Sequence, residues 1–449
     1  MAVIHKEENF VVIELGGHTT KAVRDTTEIN KLPTVQVRTR AGILKTDNEK
    51  NDEAENKQQD GQTEEPKENA QADGAQEEET VKKADDGAAE PETQEPSYVF
   101  GSALEAADAS TVDSIVDMIV DGYVRDWDAL SAFLRYILKE LQIRISENIC
   151  PILFSIPPMW SKTDHECLVQ IAFEHLNTPC VVVTEQPLMA VFGNGSVNGL
   201  VVDFGHSSTT VTAVIDSCVM SSSVMQSPVA GLAVTNKLHE LLASDRSVTE
   251  QLGDSADVSA DFVCALKESG LCSLGLAPVA AGEGEGEGEQ GKDGPFETFE
   301  FDGKKCKLPK KLLRQAPEIL IRPPAPSASI GSLMKQAVLS CEVEKRVLLW
   351  ESVHVVGGSS RFAGIKDALQ VELETTVLPT SNIFANSQSR EIKFGSIPDY
   401  FIGWRNCDHW AAFLGACIMA KVTMNDARHN VTRAEYNESG PSVIHTKAY

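Results

Sequence analysis

The fold of this chain is decided by two stretches that share one pattern, Val11-Val12-Ile13-Glu14-Leu15-Gly16-Gly17-His18-Thr19-Thr20 and Val201-Val202-Asp203-Phe204-Gly205-His206-Ser207-Ser208-Thr209-Thr210. Each copy has an apolar strand that ends in an acid, then a glycine turn, then Ser or Thr leading into a second apolar strand. Two copies about half a chain apart predict two related α/β lobes that face a shared cleft. Turns of this kind let backbone N–H groups face phosphate oxygens. Two unrelated hairpins would carry the same local pattern.

The segments around these copies fit alternating helices and strands. Trp127–Leu141 has apolar residues at helical spacing and follows Asp126, which suits a helix cap. Val181–Val183 and Val353–Val356 are short apolar runs typical of buried strands, and Ile365–Leu373 has the pattern of a helix. The chain is therefore predicted to be α/β.

The net charge of −26 is concentrated in two segments of the 449-residue chain. Residues 46–97 contain 18 acidic residues and 5 lysines, and Gly282–Asp293 contains 5 acidic residues and one lysine. The first segment has Val81 as its only branched aliphatic residue, so it cannot bury enough apolar area to offset its ordering entropy. We predict a disordered acidic insertion at 46–97 and a flexible acidic loop at 282–294. Direct sequence-specific DNA binding is disfavoured, because phosphate contacts need basic patches.

Cysteine usage and hydropathy also limit the classes of protein to which this chain can belong. The 10 cysteines are scattered without a CxxC pair or a Cys/His metal spacing, which favours buried reduced thiols over disulfides or zinc. No apolar run is long enough to cross a bilayer, and the N-terminal residues do not have a signal-peptide pattern. We expect a globular protein with no membrane partner.

Several segments together resemble the actin family. The tail Glu435-Tyr436-Asn437-Glu438-Ser439-Gly440-Pro441-Ser442-Val443-Ile444-His445 is nearly identical to the C-terminus of actin. The other matching segments are Asp121–Asp128, Leu176–Gln186, Gly199–Asp203, Lys267-Glu268 and Val353–Ile365. The resemblance covers nearly the whole chain outside the two acidic segments and is weakest across residues 25–100.

The resemblance implies an actin-like two-lobed fold, with duplicated ribonuclease-H-like cores around a central nucleotide cleft. The first lobe would span residues 1–192 and carry the insertion. The second lobe would span 193–405 and carry the acidic loop, and residues 406–449 would return to the first lobe.

The resemblance also implies a candidate, vestigial ATP cleft. Its residues would be Glu14, Gly16, Gly17, Lys21, Gln186, Asp203, Gly205, Lys267, Glu268, Gly357 and Gly358. Whether ATP is held there is left open.

Several cleft positions depart from the family pattern. Glu14 is one methylene longer than actin's Asp, and His206 replaces an acid that supports the hydrated metal, so no metal site is predicted. His18 and Ser207 stand where actin has glycine, and Thr210 stands where actin has a histidine near the attacking water. Threonine is a poor base, so we expect no catalytic residues and no enzyme activity.

One further segment narrows the resemblance within the family. Ile397-Pro398-Asp399-Tyr400-Phe401-Ile402-Gly403-Trp404 is similar to the Pro-Asp-Tyr-Phe…Trp segment of the actin-related protein nine group of fungal SWI/SNF and RSC chromatin remodellers. This implies a non-catalytic nuclear subunit that regulates remodelling and transcription. Its partners would be a second actin-related protein and the helicase-SANT-associated helix of the remodelling ATPase, with chromatin contacted only indirectly.

The guest helix would lie in a groove lined by Phe192, Ile418, Met419 and Val422. The last three have the spacing of one helical face, although ordinary core packing has the same spacing. Two alternatives stay open: an actin-like ATP-binding switch with slow hydrolysis, and a cytoplasmic actin-related capping subunit.

Overall fold

The computed structural model describes residues 4–45, 97–108, 111–252, 258–275, 295–377 and 391–447. The predicted insertion, apart from Ser97, and the predicted acidic loop lie outside these residues. One compact unit comprises Met1–Thr39 and Asp117–Tyr449, and a second comprises Arg40–Val116. The predicted lobe boundaries at 192 and 405 stay a prediction. No helix among the described residues is long and apolar enough to cross a membrane.

The strands follow the predicted pattern and extend it. In chain order they are β1 Val11–Glu14, β2 Thr19–Arg24, β3 Val35–Arg38, β4 Arg40–Leu44, β5 Tyr98–Val99, β6 Val112–Asp117, β7 Ile119–Val120, β8 Tyr123–Val124, β9 Ile152–Ile156, β10 Cys180–Glu185, β11 Gly199–Phe204, β12 Thr209–Ile215, β13 Cys218–Val219, β14 Met225–Ser227, β15 Phe296–Phe301, β16 Lys304–Pro309, β17 Val353–Val356 and β18 Val431–Thr432.

The α-helices lie between and after these strands. They span Gly101–Glu105, Trp127–Glu140, Lys162–Gln170, Gln186–Gly193, Gly231–Ser244, Arg246–Leu252, Ala260–Glu268, Lys310–Gln315, Ile330–Leu339, Arg346–Trp350, Ile365–Thr376, Ala411–Thr423 and Arg433–Ser439. The predicted cap is confirmed, because the Asp126 side chain accepts a hydrogen bond from Ala129 N at the start of helix Trp127–Glu140.

Each copy of the repeated stretch is an antiparallel hairpin in its own sheet. The first sheet has the order β18-β10-β9-β1-β2-β3, and the second has the order β13-β12-β11-β17, with β14 also paired to β12. β1 pairs in parallel with β9, and β11 pairs in parallel with β17. Both hairpins therefore sit beside a parallel neighbour. In the smaller unit, a separate three-stranded sheet has the order β5-β4-β6.

Two helices pack together and against both sheets of the larger unit. Helices Gln186–Gly193 and Ala411–Thr423 share one buried cluster with Val12 of the first sheet and Val201 of the second. Their backbones touch, because a Cβ at Gly193 would lie 2.0 Å from Ala411 O and a Cβ at Gly415 would lie 1.8 Å from Met189 O. Only glycine fits at these two positions, and the resulting close crossing connects the two sheets.

Candidate nucleotide cleft and partner groove

The two hairpin turns open onto one cavity of about 460 Å³. All eleven predicted cleft residues line it, namely Glu14, Gly16, Gly17, Lys21, Gln186, Asp203, Gly205, Lys267, Glu268, Gly357 and Gly358. Residues that lie up to 344 positions apart in sequence, from Glu14 to Gly358, are thus brought together around one cavity. The cavity is large enough for a small-molecule ligand.

The two turns meet directly at the cavity. The rings of His18 and His206, one from each turn, lie against each other with their centroids 4.0 Å apart and their planes tilted by 34°. Ser207 of the second turn accepts a hydrogen bond from Asp121 N at 3.1 Å through its Oγ. The side chains that replace the family's glycines and acid therefore join the turns to each other and to the β7–β8 connection.

The strand-end acids of the two hairpins have different partners. Glu14 is opposite Lys21 in the β1–β2 register, and Lys21 Nζ donates to Glu14 Oε1 within a buried ion pair. Asp203 is opposite Thr210 in the β11–β12 register. Burial, reinforced by the charge of Glu14, raises the pKa of Asp203 to about 6, and Lys21 opposes this only in part.

Gly357 closes the cavity beside Asp203. It has φ +90, and a Cβ at this position would lie 2.1 Å from Asp203 Oδ1. Both the backbone conformation and the close approach require glycine. The neighbouring Gly358 has open space where a Cβ would be, with no atom within 4 Å among the described residues.

The remaining polar residues of the cleft are held by the backbone and by neighbouring helices. Gln186 Nε2 donates to Leu15 O at 2.9 Å, so its amide group is tied to the first hairpin. Lys267 Nζ donates to Thr235 Oγ1 at 2.9 Å, and burial lowers the pKa of Lys267. Both side chains are fixed by interactions within the protein.

The pKa of His206 is lowered to about 3. Burial is the largest cause, followed by the charges of His18, Lys267 and Arg38. The imidazole is therefore neutral at physiological pH, whereas the family's acid at this position would be an anion.

This set of residues does not fit a hydrated divalent cation on bound phosphates. Oxygen ligands are what Mg²⁺ and Ca²⁺ require, yet Glu14 is paired with Lys21 and a neutral imidazole replaces a further acid. Within the described residues, no cluster of three or more His, Cys, Asp or Glu side chains is arranged to hold a metal ion. The glycine turns and the cavity volume do fit the phosphates of a nucleotide.

Several residues that line the cavity were not anticipated from the sequence. Arg361, His409 and Trp410 contribute to its wall. His409 O accepts a hydrogen bond from Gly357 N at 3.3 Å, and burial, with Arg361 next, lowers the pKa of His409 to about 4. The sequence signal was weak, because His409 and Trp410 lie in a short connection before helix Ala411–Thr423 rather than in a glycine turn.

The four predicted groove residues lie on the helix pair that joins the sheets. Val422 is 62% exposed, whereas Phe192, Ile418 and Met419 are half-buried and pack against the shared core. The structure thus leaves part of each side chain at the surface, although only Val422 is predominantly free of core contacts.

The Pro398–Trp404 segment adds apolar surface beside Gly195, just past the end of helix Gln186–Gly193. A Cβ at Gly195, two residues beyond the end of the Phe192 helix, would lie 3.1 Å from Pro398 Cγ and 3.6 Å from Tyr400 Oη. Tyr400 is 68% exposed, and Trp404 is fully buried and donates to Ile29 O at 2.8 Å. The segment is therefore anchored by Trp404 and presents Tyr400 outward.

Comparison with known proteins places this geometry in a family. The family model described as Actin matches residues 5–256 and 290–449. Actin-like protein 9 of Mus musculus is 30% identical over 352 residues, which is 77% of this chain and 76% of that protein. SWI/SNF and RSC complexes subunit arp9 of Schizosaccharomyces pombe is 24% identical over 525 residues, covering 98% of this chain and 99% of that protein.

A plant relative gives a similar result. Actin-related protein 7 of Oryza sativa subsp. indica is 26% identical over 369 residues, covering 79% of this chain and 94% of that protein. These matches confirm the predicted resemblance and the predicted actin-like α/β fold class.

Proposed function

The chain belongs to the actin family, and from this we propose that it is a non-catalytic actin-related subunit of a nuclear ATP-dependent chromatin-remodelling complex of the SWI/SNF or RSC type. It would pair with a second actin-related protein and bind the helicase-SANT-associated helix of the remodelling ATPase. Chromatin would be contacted only through other subunits.

The observation that carries this proposal is the end-to-end similarity to the fission-yeast protein named as a SWI/SNF and RSC subunit. The match extends over 98% of the chain, whereas the mouse actin-like protein covers 77%. The longer match therefore includes segments that the match to the mouse protein leaves out. For this reason we base the proposed function on the fission-yeast relative.

The cleft chemistry supports a non-catalytic role. Hydrolysis needs a group that orients or deprotonates the attacking water, and Thr210 at this position is a poor base. The Gln186 amide donates to Leu15 O, and Glu14 is engaged with Lys21. The side chains that would position a water and a metal are therefore occupied by contacts within the protein.

The apolar surface around Val422 supports the helix-binding part of the proposal. An amphipathic guest helix binds by placing apolar anchors into a groove between helices. Phe192 and Val422 come from the two helices that pack together, and both have exposed apolar area. Such a surface would bury the apolar face of the guest helix.

A charge at the groove tests this role. Val422→Asp is the cleaner variant, because Met419 packs against the core and Met419→Asp would also affect folding. We expect binding of the helicase-SANT-associated peptide, in the presence of the second actin-related protein, to weaken by about 1–3 kcal/mol from charge burial at the interface. The measurement is pull-down and titration with the purified full chain.

A matched control places the same charge elsewhere. Leu339 is 52% exposed at the end of helix Ile330–Leu339, so Leu339→Asp should leave binding unchanged. Circular dichroism melting of both variants checks folding. Unchanged binding by Val422→Asp would contradict helix binding at the groove. Absence of remodeller subunits from an affinity purification would contradict membership of a remodelling complex.

The catalytic alternative is tested separately. The purified chain should release no phosphate from ATP above background in magnesium, and Thr210→His alone should not create activity. Magnesium-dependent release that is lost in Gln186→Ala would contradict the non-catalytic role.

A further inference from the structure

We propose that a basic surface on strand β16 and the helix that follows it is the docking site of an acidic segment of this same chain, residues 282–293. The basic surface consists of Lys304, Lys307, Lys311 and Arg314. The docked segment would neutralise these cations and compete with other polyanions for them. The proposal concerns the chain alone and does not depend on the proposed function.

The four cations are exposed because the apolar residues between them face the core. In β16, Cys306 is buried, whereas Lys304 and Lys307 on either side of it are exposed. In the helix that follows, Lys311 and Arg314 are also exposed, and their spacing of three positions makes them neighbours on the helix surface. The strand and the helix together thus present four cations to solvent.

The neighbouring lysines already have carboxylate partners, whereas these four cations do not. Lys305 Nζ lies 3.6 Å from Glu300 Oε2, and Lys310 Nζ lies 3.2 Å from Glu297 Oε1. The four cations of the basic surface form no ion pair with any described residue. Unpaired cations on a chain with a net charge of −26 favour an acidic occupant.

The chain around the acidic segment leaves and re-enters the described structure at this surface. A Cβ at Gly275, the last described residue before the segment, would lie 3.4 Å from Arg314 Cδ. Pro295, the first described residue after it, accepts a hydrogen bond at its O from Lys310 N at 3.0 Å. Both ends are therefore anchored beside the helix that carries Lys311 and Arg314.

The charge and the length of the segment fit the basic surface. Between Gly275 and Pro295 the sequence has one lysine, Lys292, and five acidic residues, namely Glu283, Glu285, Glu287, Glu289 and Asp293. Glu289 lies six positions before Pro295, which limits their separation to about 20 Å. Attachment at both ends gives the carboxylates a high effective concentration at the surface. This tether favours the chain's own segment over a free acidic partner.

Heparin, used as a soluble polyanion, tests whether the segment occupies the surface. In the segment variant, Glu283, Glu285, Glu287 and Glu289 are all replaced by Gln in the full chain. We expect this variant to bind heparin about tenfold more tightly than wild type at low ionic strength, because an intramolecular competitor is lost. The difference should shrink as added salt screens the charges.

A charge-matched control separates local docking from overall charge. The control variant replaces Glu64, Glu65, Glu77 and Glu78 by Gln, so it changes the net charge by the same amount within residues 46–97. It should bind heparin like wild type. An equal gain in both variants would show that only net charge matters and would contradict docking.

A double-mutant cycle assigns the effect to the basic surface. The surface variant replaces Lys304, Lys307, Lys311 and Arg314 by Gln and should bind heparin more weakly than the segment variant. Adding the four segment substitutions to the surface variant should produce no further change. A gain as large as in the wild-type background would contradict the proposal, because the segment would then act elsewhere. Thermal melting checks that each variant is folded.

Carbodiimide crosslinking of the wild-type chain at low ionic strength tests the contact directly. We expect mass spectrometry to find amide crosslinks from residues 283–289 to Lys304, Lys307 or Lys311. Lys139, exposed on helix Trp127–Glu140, is the reference lysine outside the surface. No crosslink to the basic surface, or equal crosslinking to Lys139, would overturn the proposal. These results do not bear on co-purification with remodeller subunits, so the two proposals can fail separately.

Discussion

The β1–β2 hairpin and the β11–β12 hairpin share an antiparallel register at the strand-end acid but differ in whether the charge of that acid is compensated. In the first, the strand-end acid Glu14 lies opposite Lys21 and is ion-paired. In the second, Asp203 lies opposite Thr210, and burial raises its pKa to about 6. The copies therefore share a turn geometry, while a single residue on the returning strand decides whether the acid is compensated.

In this chain, the hydrogen-bonded register at the strand-end acid is the same in both hairpins, whereas the residue opposite the acid is not. The register holds six consecutive pairs in β11–β12 and four in β1–β2, and a change of one side chain leaves these pairs intact. The charge state of the cleft can thus change without any change in the fold.

The largest expected effect comes from breaking the ion pair between Lys21 and Glu14 in the first hairpin. Lys21→Met leaves Glu14 buried without its cation, which should lower the free energy of unfolding by about 3–5 kcal/mol. The side chains of Lys21 and Glu14 are only 13% and 9% exposed, so solvent cannot replace the pair. Urea denaturation at pH 7.5 measures the loss.

The double variant Lys21→Met/Glu14→Gln is the control for this prediction. It removes both charges and should recover most of the lost stability, because no buried charge is left unpaired. A single variant as stable as wild type would mean that the ion pair contributes nothing to the first hairpin.

A smaller effect is expected from removing the charge of Asp203, which has no cation opposite it in the second hairpin. Above pH 6 the folded protein must carry an Asp203 charge that burial disfavours, and this cost disappears as the pH falls through about 6 toward the unfolded value of 3.8. Asp203→Asn cannot ionise. We expect it to be more stable than wild type at pH 8 by on the order of 1–3 kcal/mol, with the difference closing near pH 4.

The two cross-strand pairs, Glu14–Lys21 and Asp203–Thr210, can also be made alike. Thr210→Lys would place a cation opposite Asp203, as in the first hairpin, and should lower the pKa of Asp203. The stability difference between this background and its Asp203→Asn derivative should then lose its dependence on pH between 4 and 8. Parallel urea titrations at several pH values provide the comparison, and a persistent pH dependence would show that burial alone controls Asp203.

The smallest effect is expected from deleting residues 46–97, which belong to neither hairpin. The segment lacks residues that could form a core, so thermal melting should shift by no more than about 2 °C and partners should still co-purify. A larger shift, or loss of partners, would show that the segment is structural.

Local sequence patterns were sufficient for the elements that carry the cleft. The helix after Asp126, the strand at Val353–Val356 and both repeated hairpins appear where periodicity and turn residues predicted them. These features depend on neighbours within a few residues, so the chain encodes them directly. The resemblance to actin then supplied the eleven cleft positions, and all of them line one cavity.

The sequence could not reveal contacts that depend on bringing distant segments together. His18 and His206 are separated by 188 positions, and nothing in either turn indicates that their rings come into contact. The contribution of His409 to the cavity depends likewise on where its short connection passes Gly357.

The sequence by itself determined the duplicated α/β hairpins and the acidic segments, because each depends on composition or on short-range spacing. The family followed from the resemblance of its tail and cleft segments to actin. Tertiary structure decided the electrostatics of the cleft and the exposure of the groove. Burial, charge pairing and close approach, as at Gly357 beside Asp203, exist only after segments far apart in the chain have packed together.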